Sequence, residues 1–176
     1  MTKHELCKKC VWFTSMLLVN CIFSGSLTGC VYSSRLKQSP MSVDQFVGTT
    51  PCEAGPRRFL GIADSDPCEK ITWELELLSS ADPRRSYKLA ATYGLQAQGA
   101  PGFANEQGKR LESQGTWTIK RAVVGGRDST TYELRSEKGN GSFVLVSISN
   151  RVIHMLGEDS RLLVGNDSWS YTLNRK

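Results

Sequence analysis

Period-two alternation is the feature that most constrains the fold of this chain. From Lys70 to Leu77, Ile71, Trp73, Leu75 and Leu77 fall on one side and Thr72, Glu74 and Glu76 on the other. That is a half-buried β-strand with a core face and a water face. The same rhythm returns in Phe46–Thr50, Ser86–Tyr93, Gly115–Arg121, Thr130–Leu134, Ser142–Ile148, Arg151–Leu156 and Trp169–Leu173. Turn chemistry separates the runs, at Ala81-Asp82-Pro83, Gly125-Gly126, Lys138-Gly139-Asn140-Gly141 and Val164-Gly165-Asn166-Asp167. No segment after residue 43 keeps a helical period over three turns. About eight short strands with hairpin-length links predict an all-β antiparallel meander. Pairing the last strand with the first would close it into a barrel and remove the exposed edges. Residues 95–110, with Gly99, Pro101 and Gly102, read as a mobile loop over one barrel end.

The N-terminus is of another kind. Lys3, Lys8 and Lys9 precede an apolar run from Val11 to Phe23, interrupted by Asn20, and Leu27-Thr28-Gly29-Cys30 follows. This is the basic, apolar and small-residue order of a secretory signal peptide. The run of about 13 residues is short of the roughly 20 that span a bilayer. Leu27–Cys30 resembles the lipobox of bacterial lipoproteins. The resemblance implies a signal peptide over 1–29, cleavage before Cys30 and acyl chains, such as palmitate, on Cys30. Two or three chains hold a protein on a membrane far better than one. Residues 30–43 then read as a polar tether and 44–176 as the folded domain. Val31 after the lipidated cysteine favours the outer membrane, facing the periplasm.

Removing the leader changes the arithmetic. The whole chain carries +5, and loss of Lys3, Lys8, Lys9 and Glu5 leaves about +3. The remaining charges alternate in sign, and no basic stripe with interleaved aromatics points to nucleic acid. Cys7, Cys10 and Cys21 leave with the leader, so Cys7-Lys8-Lys9-Cys10 carries no chemistry in the mature chain. Cys52 and Cys68 remain, and an even pair in an oxidising compartment reads as one disulfide. Closing that loop is worth roughly 3 kcal/mol by chain entropy. A reduced pair holding a metal is the competing reading.

Candidate chemistry is sparse. His154 is the one histidine left in the mature chain, and it falls in a strand, where a wall position with a satisfied ring is the plain expectation. Cys52, Cys68, His154 and Met155, with Met41, supply thiolate, imidazole and thioether, donors that suit Cu(I) or Zn²⁺. No cofactor is expected, and copper is the one these donors leave open. Asp64-Ser65-Asp66 and Glu158-Asp159 lack the further ligands of a calcium loop and read as solvated turns. No nucleophile elbow, zinc-protease helix or phosphate loop occurs, so the expectation is a protein without catalysis. Trp73, Trp117 and Trp169 would line the interior. An eight-stranded barrel either fills itself or holds one small ligand, so a calycin-like barrel around a small apolar molecule or lipid is the alternative function.

Several segments together resemble a known family. They are Phe46-x-Gly48-x-x-Pro51-Cys52, Trp73-Glu74-Leu75-x-Leu77, Tyr87-x-Leu89 with Tyr93-Gly94, Gly115-Thr116-Trp117-Thr118-Ile119, Tyr132-x-Leu134, His154-Met155-Leu156 and Leu162–Asn166 through Ser170–Arg175. Over about residues 44–175 the chain is similar to the N-terminal domain of NlpE-type envelope lipoproteins, the copper-resistance and envelope-stress family. The resemblance implies a small lipocalin-like barrel on a lipid anchor. It also implies a role in copper tolerance or envelope-stress sensing, with an envelope protein as partner. Two departures matter. Larger members of the family continue into a second domain, and a signalling contact made by that domain is not carried over. The family has Pro-Cys-x-x-Cys, whereas here Glu53-Ala54-Gly55 follows Cys52 and the second cysteine comes at Cys68.

Overall fold

A computed structural model describes residues 41–80, 85–104, 108–138 and 141–176. The leader, Cys30 and most of the tether lie outside the described residues. The strands are β1 (Ser42–Pro51), β2 (Lys70–Ser79), β3 (Ser86–Gly94), β4 (Lys109–Val124), β5 (Arg127–Ser136), β6 (Ser142–Ser149), β7 (Val152–Met155) and β8 (Thr172–Arg175). One helix, α1 (Ala54–Leu60), lies between β1 and β2. The strands form a closed barrel in chain order, each antiparallel to the next. The expected all-β barrel of about eight strands is the fold.

Closure runs through a narrow seam. β1 pairs with β2 along its whole length, from Ser42↔Ser79 to Pro51↔Lys70. It pairs in register with β8 at just Phe46↔Arg175 and Val47↔Asn174, and the Lys176 N–H donates to the Gln45 carbonyl at 2.9 Å beyond them. Gly48 makes the approach possible: a Cβ there would stand 2.5 Å from the Thr172 carbonyl oxygen and 2.7 Å from Leu173 Cδ2. The Arg175 guanidinium reinforces the seam by donating to Asp44 at 2.7 Å.

Alternation puts Phe46, Leu75, Leu77, Tyr87, Leu89 and Leu134 in the core. At the end where β1 finishes, Phe59 of α1 stacks on Phe143 at 5.0 Å, and Phe143 on Trp73 at 6.1 Å. At the other end Trp117 closes the interior. Its indole N–H donates to the Leu78 and Ser86 carbonyls at 3.2 and 3.0 Å, and Tyr132 meets its ring edge-on. Near the tip of the β4–β5 hairpin, Ala122 and Val124 pack with Val144, Val146 and Leu156 in a second, smaller cluster. Gly125 and Gly126, both at positive φ, form that turn.

Four sequence expectations are corrected. α1 has seven residues, too short to show three turns of period, and it lies inside the Cys52–Cys68 loop. β4 is far longer than Gly115–Arg121, and its first half shows no alternation because a polar Ser113 follows Leu111 on its inner face and no apolar series forms there. The expected loop over 95–110 ends sooner, since Lys109 and Arg110 belong to β4, and its described part folds back on itself: Gln96 bridges to Phe103, and the Ala104 N–H donates to the Leu95 carbonyl at 2.9 Å. The last strand starts at Thr172, not Trp169. The Asn166 side chain accepts from the Ser168 and Trp169 N–H groups at 3.0 and 2.9 Å, and this local turn overrides the alternation.

Candidate functional site

The chemistry-bearing residues gather at the helix-capped end. Cys52 and Cys68 form a disulfide with a Cα–Cα distance of 5.7 Å. β1 delivers Cys52 just past Pro51, and Cys68 precedes β2 by one residue. Arg57 fills the loop that the bond closes. Its guanidinium donates to the Ala63 and Asp66 carbonyls and reaches Cys52 Sγ at 3.7 Å. α1 stops at Gly61, whose left-handed conformation (φ 70°) lets its N–H reach the Arg58 carbonyl, while the Ile62 N–H reaches that of Arg57. Phe59 is thereby turned into the barrel and Arg57 into the loop.

Asp66 ties this loop to the barrel wall. Its carboxylate accepts from the Tyr93 hydroxyl at 2.6 Å and the Lys109 ammonium at 2.9 Å. Those two bonds, Tyr93 first, hold the Asp66 carboxyl below its ordinary range. Lys109 is raised by the same contact, and Tyr93 is raised by desolvation and then by Asp66. Asp66 is therefore an anchor, not a solvated turn residue. Asp64, fully exposed and 4.0 Å from Arg57, does fit the solvated reading. Glu158, expected at a solvated tip, pairs with Arg58 and joins the β7–β8 connection to α1. Lys70 is buried, donates to the Gly102 carbonyl and lies 4.8 Å from the Phe103 ring centre. That contact holds the 95–104 segment down. The Tyr171 hydroxyl is buried with no hydrogen-bond partner. Burial first, and the nearby Glu53 carboxylate second, push its ionisation far above the ordinary range.

The metal candidates are not brought together. Cys52 and Cys68 are bonded to each other, so neither offers a thiolate. His154 sits in the barrel wall with Nε2 2.9 Å from the Leu163 carbonyl oxygen. Met155 follows it on the opposite face and is wholly buried in the core. Met41 precedes β1 and Cys52 follows it, so that strand separates them. Among the described residues no three His, Cys, Asp or Glu side chains are arranged to hold a metal ion.

The tryptophans do not share a cavity either. Trp73 and Trp117 close opposite ends of the barrel, and Trp169 is partly exposed in the turn before β8. The interior void beside Phe59, Trp73, Leu75 and Met155 is about 10 Å³, barely the room one water needs. The core is filled around this void, and Trp73, Trp117 and Trp169, the alternative ligand wall, do not meet around a common space. The roomier concavity is outside, a groove of about 590 Å³ over β2–β4 floored by Ala90. Its charges answer one another: Arg110 lies 3.5 Å from Glu112 and 4.0 Å from Glu74, and Gln114 donates to Glu137 at 2.9 Å.

Sequence reasoning missed Arg57, Tyr93 and Lys109. The one available signal was an arginine in a short segment that also carries Pro56, Phe59 and Leu60, between two cysteines. Fold and site together define a class: a filled eight-stranded antiparallel barrel with a disulfide-bonded helical cap. Comparison of the chain with protein-family models, curated proteins and solved structures finds no match.

Proposed function

We propose that this chain is a lipid-anchored protein of the bacterial cell envelope, anchored at Cys30 in the outer membrane and facing the periplasm. Its role is NlpE-like: it takes part in envelope-stress sensing through a protein partner and is not an enzyme. The observation that carries this reading is a disulfide-capped, filled barrel whose first strand starts at Ser42, soon after a lipobox-like cysteine. A disulfide suits an oxidising compartment, and a filled interior leaves the outer surface as the place where recognition occurs. Between the two roles that the family resemblance implies, the scattered copper donors favour sensing over copper tolerance. The small-ligand alternative has no interior space to support it.

The test is acylation and fractionation in cells. Wild type takes up a labelled palmitate analogue and sediments with outer membranes, and its accumulation changes the output of an envelope-stress reporter. Cys30→Ala loses label, sedimentation and reporter response. A Cys30→Ala protein that is still shortened and membrane-bound overturns the anchor. A reporter unmoved by correctly anchored wild type overturns the sensing role.

A further inference from the structure

The two ends of the barrel differ in charge. One end holds the start of β1, the link from β2 to β3, the β6–β7 turn and the end of β8. Arg85, Arg151, Arg175 and Lys176 lie there. The tip of the β4–β5 hairpin lies at this end too and adds exposed Arg127 and Asp128. Among the described residues the acids here are therefore Asp44, which Arg175 neutralises at 2.7 Å, and Asp128. Arg151 and Lys176 are exposed. Met41 and Val43, 60 % and 44 % exposed, add apolar surface beside them. The links at the helix-capped end carry Glu53, Asp64, Glu69, Glu158, Asp159 and Asp167, all exposed. Arg58 and Arg161 pair with Glu158 and Asp159, and Arg57 lies 4.0 Å from Asp64, so these acids outnumber their basic partners.

The basic end is also the end at which the chain enters the barrel. Residues 31–41 alone separate Cys30 from β1, a stretch that spans at most about 40 Å. They include Arg35 and Lys37 and no acidic residue. Anionic phospholipid headgroups attract basic residues held near a membrane surface, and the attraction fades within a Debye length. We infer that the end bearing Arg85, Arg151 and Lys176 docks on an anionic phospholipid surface. The disulfide-bonded cap then faces away from the membrane, repelled by it. This inference rests on the lipid anchor at Cys30 for its place in the cell, but the docking surface itself needs no lipid on the protein.

The experiment separates the two. The closed barrel holds its whole core within residues 42–175, so a fragment of residues 31–176 retains the fold without Cys30. Its binding to phosphatidylcholine vesicles is compared with binding to vesicles holding 30 % phosphatidylglycerol, by co-sedimentation at low salt. The expected result is binding to the anionic vesicles alone, lost at 0.3 M NaCl. Arg151→Glu and Lys176→Glu should each weaken it roughly fivefold or more. Arg161→Glu, a reversal of equal size at the capped end, should leave it within twofold. Unchanged melting temperatures show that the variants fold. Equal loss with Arg161→Glu makes the effect one of net charge and overturns the docking end. No binding, or equal binding to neutral vesicles, overturns it too. None of these results bears on acylation, which the Cys30→Ala fractionation decides.

Discussion

Removal of the Cys52–Cys68 bond gives the sharpest test of how this barrel is held. The bond joins residues separated by 16 in sequence, and a loop of that size gives about 3 kcal/mol of unfolded-state entropy. The folded cap has other ties: the Arg57 bonds to the Ala63 and Asp66 carbonyls, the Phe59–Phe143 stack, and Asp66 on Tyr93 and Lys109. The Cys52→Ala/Cys68→Ala protein should therefore keep its fold and lose stability as a whole. Unfolding entropy of about 2.1 cal/mol/K per residue gives roughly 0.28 kcal/mol/K for the barrel. The melting temperature should fall by about 10 °C in a single cooperative transition. Wild type in reductant should melt close to the double variant, since the entropy argument concerns the cross-link and not the sulfur atoms. Scanning calorimetry with and without reductant reads both. A fall below about 3 °C would refute the entropic account. A new early transition with the main one unmoved would show that the cap unfolds separately, held by the bond alone.

Gly48→Ala should cost about 1–3 kcal/mol, since its Cβ meets backbone at the β1–β8 seam; in contrast Gly55→Ala, with nothing within 4 Å in α1, should gain up to about 1 kcal/mol. Urea titration checks both, and equal effects would remove the seam argument. Glu133 is held below its ordinary carboxylate range by Lys120 first and Arg135 next. Its stabilising contribution is present above the unfolded value near 4.3 and is lost as pH falls through the lower folded one. Glu133→Gln should cost about 2 kcal/mol at pH 7 and flatten the acid limb of stability against pH; an unchanged limb would sink this reading. At the alkaline side the raised Tyr171 keeps its proton in the fold. Stability should fall as pH rises above about 10, where the unfolded tyrosine ionises. Tyr171→Phe should lessen that fall and cost less than about 1 kcal/mol at pH 7, because the buried hydroxyl makes no hydrogen bond of ordinary geometry; a larger loss would show that Glu53 accepts from it.

Much of the barrel was legible because alternation is a direct imprint of burial. Ile71, Trp73, Leu75 and Leu77 read as one face and are all buried. The hairpin turns were equally direct, since Gly125-Gly126 supplies the two positive φ values its turn needs. Legibility failed where local chemistry competes with period. Asn166 captures the N–H groups of Ser168 and Trp169, and so β8 starts three residues late. Ser113, a polar residue on the inner face of β4, hid the first half of a 16-residue strand. α1 fits two turns of helix into a loop whose ends the disulfide fixes, and no period can emerge from seven residues. The site was less legible than the fold for a related reason. The Asp66–Tyr93–Lys109 cluster joins three distant segments through barrel register, and no spacing in the sequence encodes register.

A filled interior redirects the question of function. In a barrel with a cavity, specificity can reside in the wall residues, and the inward tryptophans would be the residues to mutate. Here Trp73 supports a stack that includes the cap helix, and Trp117 plugs the far end with both hydrogen bonds to backbone. Their substitution would damage the fold and say nothing about recognition. What varies freely is the outside and the two ends. One end carries the cap closed by Cys52–Cys68 and is acidic; the other, where the chain enters β1, is basic. If the chain is anchored at Cys30 as proposed, that polarity would present one end to the bilayer and leave the cap for a partner. Substitutions at exposed cap residues such as Asp64 and Asp167, which leave the core and the disulfide untouched, should therefore separate signalling from folding. A partner that engages the basic end instead would compete with membrane, and vesicles containing anionic lipid would displace it.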